Sequence, residues 1–139
     1  MHHLFARTRE EGDEGFTLIE LLVVMIIIGI LAAIAIPTML GVRQNAYRAA
    51  MKTDLRNAAA AAHSWATDTA MGSYTAFDSA ALAAWRGANV TGEVTVSVVA
   101  HGVTGFCLEA THVAIPGESV FWESLAGITT EVDCSANPY

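Results

Sequence analysis

Positive charge is scarce in this chain. Seven Lys and Arg stand against 14 Asp and Glu, a formal charge of −7 over 139 residues. That balance gives no general electrostatic footprint for nucleic acid. Cysteine is scarcer still. Cys107 and Cys134 are the only two, with no CxxC and no Cys/His neighbour at zinc spacing. Catalytic signatures are also missing: no HExxH, GxSxG, P-loop or GxGxxG occurs. The sequence therefore offers no catalytic site, and neither a metal nor a cofactor is expected. His63, His101 and His112 are scattered and suggest packing or surface positions. Glu109, Glu118, Glu123 and Glu131 read as solvated strand positions rather than as an acid/base pair.

Hydrophobic residues make up 53% of the chain. Much of this lies in one block, Phe16 to Ile36, closed by Pro37. At 1.5 Å per residue the block spans about 30 Å, enough for a bilayer core. Glu20 is its only charge. A carboxylate at mid-span costs about 2.5–3.5 kcal/mol or more, so an ionisable residue here implies a function. Three readings compete. A plain membrane anchor leaves Glu20 unexplained. A secretory signal peptide fits the small-x-small pattern Ala33-Ile34-Ala35, but the preceding region is net acidic, with Arg7 and Arg9 against Glu10, Glu11, Asp13 and Glu14. Glu20 also has no role in a segment that is removed. The third reading is a prepilin-type segment, cut before the apolar stretch.

Gly15-Phe16-Thr17-Leu18-Ile19-Glu20, followed by Leu-Leu-Val-Val and ending Ile34-Ala35-Ile36-Pro37, resembles the N-terminus of type IV pilins and related prepilin-type proteins. The glycine, aromatic, glutamate and proline fall at matching offsets. The resemblance implies that residues 1–15 form a leader, removed after Gly15 by a prepilin peptidase that also N-methylates Phe16. It implies that Glu20 pairs with the new Phe16 amine of a neighbouring subunit and so sets its axial register. It also implies a loosening of the helix between Gly29 and Pro37. Glu11-Gly12-Asp13-Glu14 stand where family leaders usually carry Lys or Arg.

After Pro37 the pattern stays helical. Leu40, Tyr47, Met51, Leu55, Ala58, Ala62 and Trp65 form one apolar stripe, with Arg43, Arg48, Lys52, Asp54 and Arg56 mostly off it. The helix is expected to reach Ala70 and stop at Met71-Gly72-Ser73, with a bend at Pro37. Residues 71–92 read as a connection with a short helix, capped by Asp78 or Ser79, through Trp85 to Gly87. From Glu93 the period becomes two. Val94, Val96 and Val98 form one run and Phe106 to Thr111 a second. Val120 to Glu123 and Ile128 to Val132 complete a meander of three or four antiparallel strands, one face of which packs on Met51, Leu55 and Trp65. Trp85, Phe121 and Trp122 suggest core or subunit contact more than a sticky surface patch.

The expected organisation is α+β: a leader at 1–15, an apolar assembly helix at 16–37, its amphipathic continuation at 38–70, and a connecting loop and sheet with a cysteine loop at 71–139. Four basic residues follow the apolar block within twenty positions, against two before it. The positive-inside rule alone then turns the C-terminal part inward. The more specific motif argues the reverse: a single-pass protein of the cytoplasmic membrane with its C-terminal part outside, later displayed in a surface pilus. An oxidising exterior makes Cys107 and Cys134 a disulfide; a reducing compartment leaves two buried thiols. The function expected is a pilus subunit. Its partners would be further copies of itself, the prepilin peptidase/methyltransferase, the assembly machinery and, before assembly, the membrane. Arg43, Arg48, Lys52 and Arg56 suit ion pairs between subunits better than DNA contact. The alternatives are a pseudopilin of a type II secretion or DNA-uptake machine, and a membrane-anchored binding module.

Overall fold

The computed structural model describes residues 15–69, 71–85 and 89–139. The expected leader up to Glu14, the helix end at Ala70 and the helix stop at Gly87 lie outside the described residues. The chain divides into two compact units, one ending at Met39 and the other running Leu40–Tyr139. Helix α1 (Leu18–Thr69) begins in the first and ends in the second.

Among the described residues of the first unit, none of α1 is buried. Every large apolar side chain from Phe16 to Met39 is exposed. Ile is the most frequent residue of this stretch, and it is a mediocre helix former in water. A helix apolar all round is built for burial by something else, a bilayer or other helices. Its most apolar window has a mean hydropathy of 3.0, and none of that window is buried. Pro37 has no N–H for the helix ladder, yet helix is continuous through Gly29 and Pro37. The Thr38 hydroxyl donates to the carbonyls of Ala35, at 2.9 Å, and Ile34, at 3.4 Å.

The second unit holds the core. Met51, Leu55, Ala58, Ala62 and Trp65 are buried as the stripe required, with Ala59, Ala61 and Ala66 beside them. Helix α1 ends where Met71 and Gly72 take positive φ, 52° and 90°, a left-handed turn that glycine tolerates best. A short helix α2 (Ser79–Ala84) follows. Asp78 caps it by accepting the Ala81 N–H at 2.7 Å.

Strands β1 (Val94–His101), β2 (Phe106–His112), β3 (Ser119–Glu123) and β4 (Ile128–Thr130) form one antiparallel meander in that order. Pairing puts Val96 opposite Ala110, Val98 opposite Leu108 and Leu108 opposite Trp122, so these residues share the face turned to α1. Phe106, Leu108, Ala110 and Val120 join Met51, Leu55 and Trp65 in one cluster. The Phe106 and Phe77 rings lie 5.7 Å apart edge-on, an arrangement aromatic pairs favour, and Trp65 meets Phe77 at 5.1 Å in a tilted one. The register shifts between Val98 and Ala100. This bulge gives β1 an extra residue, and Val99 and Ala100 pack instead beside Cys107, Phe121 and Cys134.

The structure corrects three expectations about the fold. Leu40 is 58% exposed and off the core. Asp54 is buried rather than off the stripe. Its carboxylate accepts the Thr91 N–H at 2.9 Å and the Thr91 hydroxyl. These bonds make the burial tolerable and tie the connection before β1 to the helix. Trp85 and Trp122 pack against the main cluster, and Phe121 packs with the cysteines on the opposite sheet face, as the preference for core contact over a surface patch expected. The last run ends at Thr130, and Val132 is exposed.

Candidate assembly site

Among the described residues, the start of α1 is where the motif positions singled out in the sequence carry a defined hydrogen-bond geometry. Gly15 and Phe16 precede the helix, and Phe16 is 82% exposed. Thr17 occupies the N-cap position and Glu20 the third helical position. The Thr17 N–H and the Thr17 hydroxyl both donate to Glu20 Oε2, each at 2.8 Å. In return the Glu20 N–H reaches the Thr17 hydroxyl oxygen at 3.3 Å. This is a capping box, in which cap and third residue satisfy each other's orphan groups. Oε1 of Glu20 accepts no hydrogen bond from any described residue. Around it Ile19, Val23 and Val24 expose only hydrocarbon. A carboxylate in such surroundings attracts a cation strongly once water is excluded.

The sequence signal for the capping box, Thr-x-x-Glu before an apolar run, was present, but the resemblance drew attention to Glu20 alone. Gly29 and Pro37 lie further along the same helix, and a Cβ at Gly15 or Gly29 would meet open space. Cys107 and Cys134 form a disulfide with Cα atoms 5.8 Å apart. It joins β2 to the segment after β4 on the sheet face away from α1.

The basic residues are not a strip with one use. Arg48 grips Glu118 by two bonds, Nε–Oε2 at 2.7 Å and an Nη2–Oε1 contact at 3.0 Å. That pairing is within the chain, where contacts between subunits were expected, and Glu118 is not a free solvated carboxylate. The Arg48 hydrogen bond holds the Glu118 carboxyl below its usual range. A depressed carboxyl stabilises the fold above the unfolded pKa of about 4.3, and that contribution is lost as pH falls through the folded value. Both side chains are 38% exposed, so the effect is small. Thermal unfolding of Glu118→Gln is expected to fall slightly below the parent at pH 7 and to converge with it as pH falls through the lowered folded value of Glu118. A gap that widens on acidification would refute this.

The histidines are kept apart. His63 Nδ1 meets the Tyr74 hydroxyl at 2.6 Å. His101 is exposed. His112 is buried against the Tyr47 ring at 4.5 Å, and its Nδ1 accepts the Ala114 N–H at 3.0 Å. Among the described residues no three His, Cys, Asp or Glu are grouped to hold a metal.

Residues 12–36 match the family model for the prokaryotic N-terminal methylation motif. The chain is also similar to the type IV wide pilus major component PilA4 of Thermus thermophilus, with 36% identity over 99 residues, 71% of this chain and 73% of that protein. It is similar as well to the type II secretion system core protein G of Klebsiella michiganensis, with 38% identity over 47 residues, covering 34% and 33% of the two chains.

Proposed function

Because this chain belongs to the type IV pilin family, whose members are structural subunits and not enzymes, we propose that it is the precursor of a pilus subunit. Prepilin peptidase would cut after Gly15 and N-methylate Phe16. The matured chain would wait in the cytoplasmic membrane through 16–37, with the part from 38 onward outside. It would then be drawn into a homopolymeric filament by an assembly machinery. In that filament the methylated Phe16 amine of one copy meets Glu20 of its neighbour. Gly29 and Pro37 are where α1 would loosen or bend to pack.

One observation carries this reading above all. A helix of membrane-spanning length has its apolar half unburied among the described residues, and the sole charge of that half sits at its first turn. Burial among neighbouring helices stabilises by about 25 cal/mol per Å² of apolar area. Contacts between unlike faces give an open filament when the rotation between copies does not close a ring. Microscopy of cells with and without the gene tests the proposal. Surface filaments containing the chain are expected, and their absence from expressing cells with the assembly machinery intact would sink it.

The similarity to the type II secretion protein supports a second reading, a pseudopilin. In that case deletion would abolish secretion of a folded exoprotein and leave surface filaments unchanged.

A further inference from the structure

The geometry points to Thr17 as the positioning residue that holds Glu20 ready for the incoming amine; the inference rests on the filament reading above. Glu20 has several rotatable bonds, and on an exposed helix its carboxylate would sample many orientations. Thr17 removes that freedom. Its N–H and its hydroxyl converge on the same oxygen, Oε2, each at 2.8 Å. Both bonds are charge-assisted, the stronger kind. Oε1 is thereby the oxygen left without a donor among the described residues. One carboxylate oxygen is thus occupied by the chain's own cap, and the other is free of it on an exposed residue.

The division has two consequences in a membrane. Before assembly, a carboxylate with two donors is less costly in the apolar helix than a bare one, because each buried polar group needs a partner. During assembly, the neighbour's ammonium can bond Oε1 without displacing Thr17. Nothing has to be broken first, and the side-chain entropy of ordering Glu20 has already been lost. The hydroxyl is the part that matters most. Its oxygen accepts the Glu20 N–H at 3.3 Å while its proton goes to Oε2. A valine keeps the shape and loses both functions, whereas a serine keeps both.

The test uses the full chain in cells that carry its assembly machinery. Thr17→Val is expected to lower sheared filament yield about ten-fold, the factor that one charge-assisted hydrogen bond supplies. The amount of cleaved chain in the membrane should not change. Thr17→Ser is expected to restore the yield to within about two-fold, since serine caps as well as threonine. Wild-type yield from Thr17→Val, with processing intact, would overturn the inference. No filaments from the parent chain would instead overturn the filament reading itself. If Thr17→Val blocks cleavage, amide exchange of the full chain in detergent micelles decides. A slowly exchanging Thr17 N–H that becomes fast in Glu20→Ala supports the inference. Equally fast exchange in both overturns it.

Discussion

A Glu20→Ala chain is expected to be made, cleaved and inserted, and to leave almost no filament. The change removes the one charge from the apolar half of α1, so insertion into the bilayer becomes easier, by less than the roughly 2.5–3.5 kcal/mol of a mid-span charge because Glu20 lies in the first turn. Membrane levels should therefore hold or rise. Assembly is another matter. In the proposed filament the Phe16 ammonium enters a bundle of apolar helices. Without Glu20 it has no counter-charge there, and breaking a buried pair by deleting one partner costs about 3–5 kcal/mol. That is a factor of more than a hundred at every subunit addition. Glu20→Gln should fail nearly as badly, because it keeps the shape and a hydrogen bond but not the charge. The unit Leu40–Tyr139 has its core entirely within itself. Its circular dichroism and melting temperature should be unchanged in both variants. Abundant filaments from Glu20→Ala would remove the basis of the register argument.

The second large effect concerns the disulfide. Replacing Cys107 and Cys134 together by alanine is expected to destabilise the Leu40–Tyr139 unit by about 3.5 kcal/mol. The bridge closes a loop with a sequence separation of 27, and the chain-entropy relation gives that value for such a loop. The cluster it serves is small: Phe121, with Val99, Ala100 and Tyr139 around it. Beyond β4 the C-terminal segment has few other ties. The Tyr139 hydroxyl donates to the Cys134 carbonyl at 2.9 Å, and the Asn137 amide to Glu123 at 2.8 Å. Tyr139 also lies against Gly102 and Gly105, where an added Cβ would collide with it. These contacts depend on Cys134 staying in place. Denaturant unfolding of the paired variant against the parent measures the loss. A midpoint within error of the parent would show that the segment is held by its packing alone.

Periodicity made most of the fold legible. The stripe from Met51 to Trp65 and the alternation from Val94 onward each had one physical explanation, and the meander followed from the turn residues between the strands. What escaped was whatever depends on partners distant in sequence. Asp54 looked like a surface charge because nothing nearby in sequence explains a buried one; its partner, Thr91, comes from the loop before β1. Arg48 and Glu118 were assigned to subunit contacts and solvent for the same reason. The run Val98-Val99-Ala100 hid the bulge, since an unbroken apolar run carries no sign of which residue is the extra one. Leu40 continued the stripe in register, but it lies at the very start of the second unit, before the core of α1 begins. At the candidate assembly site the division was different. Glu20 was legible as a charge out of place, whereas Thr17, whose Thr-x-x-Glu spacing was there to be read, stood out through its two bonds to a single oxygen.

The most direct measurement is the intact mass of the subunit in filaments sheared from the cell surface. The expected mass is that of residues 16–139 with the disulfide closed and one methyl group added, and tandem fragmentation should place that methyl on the Phe16 amine. A subunit that still carries residues 1–15, or a sheared fraction without this chain, would contradict the proposed maturation and the filament built on it.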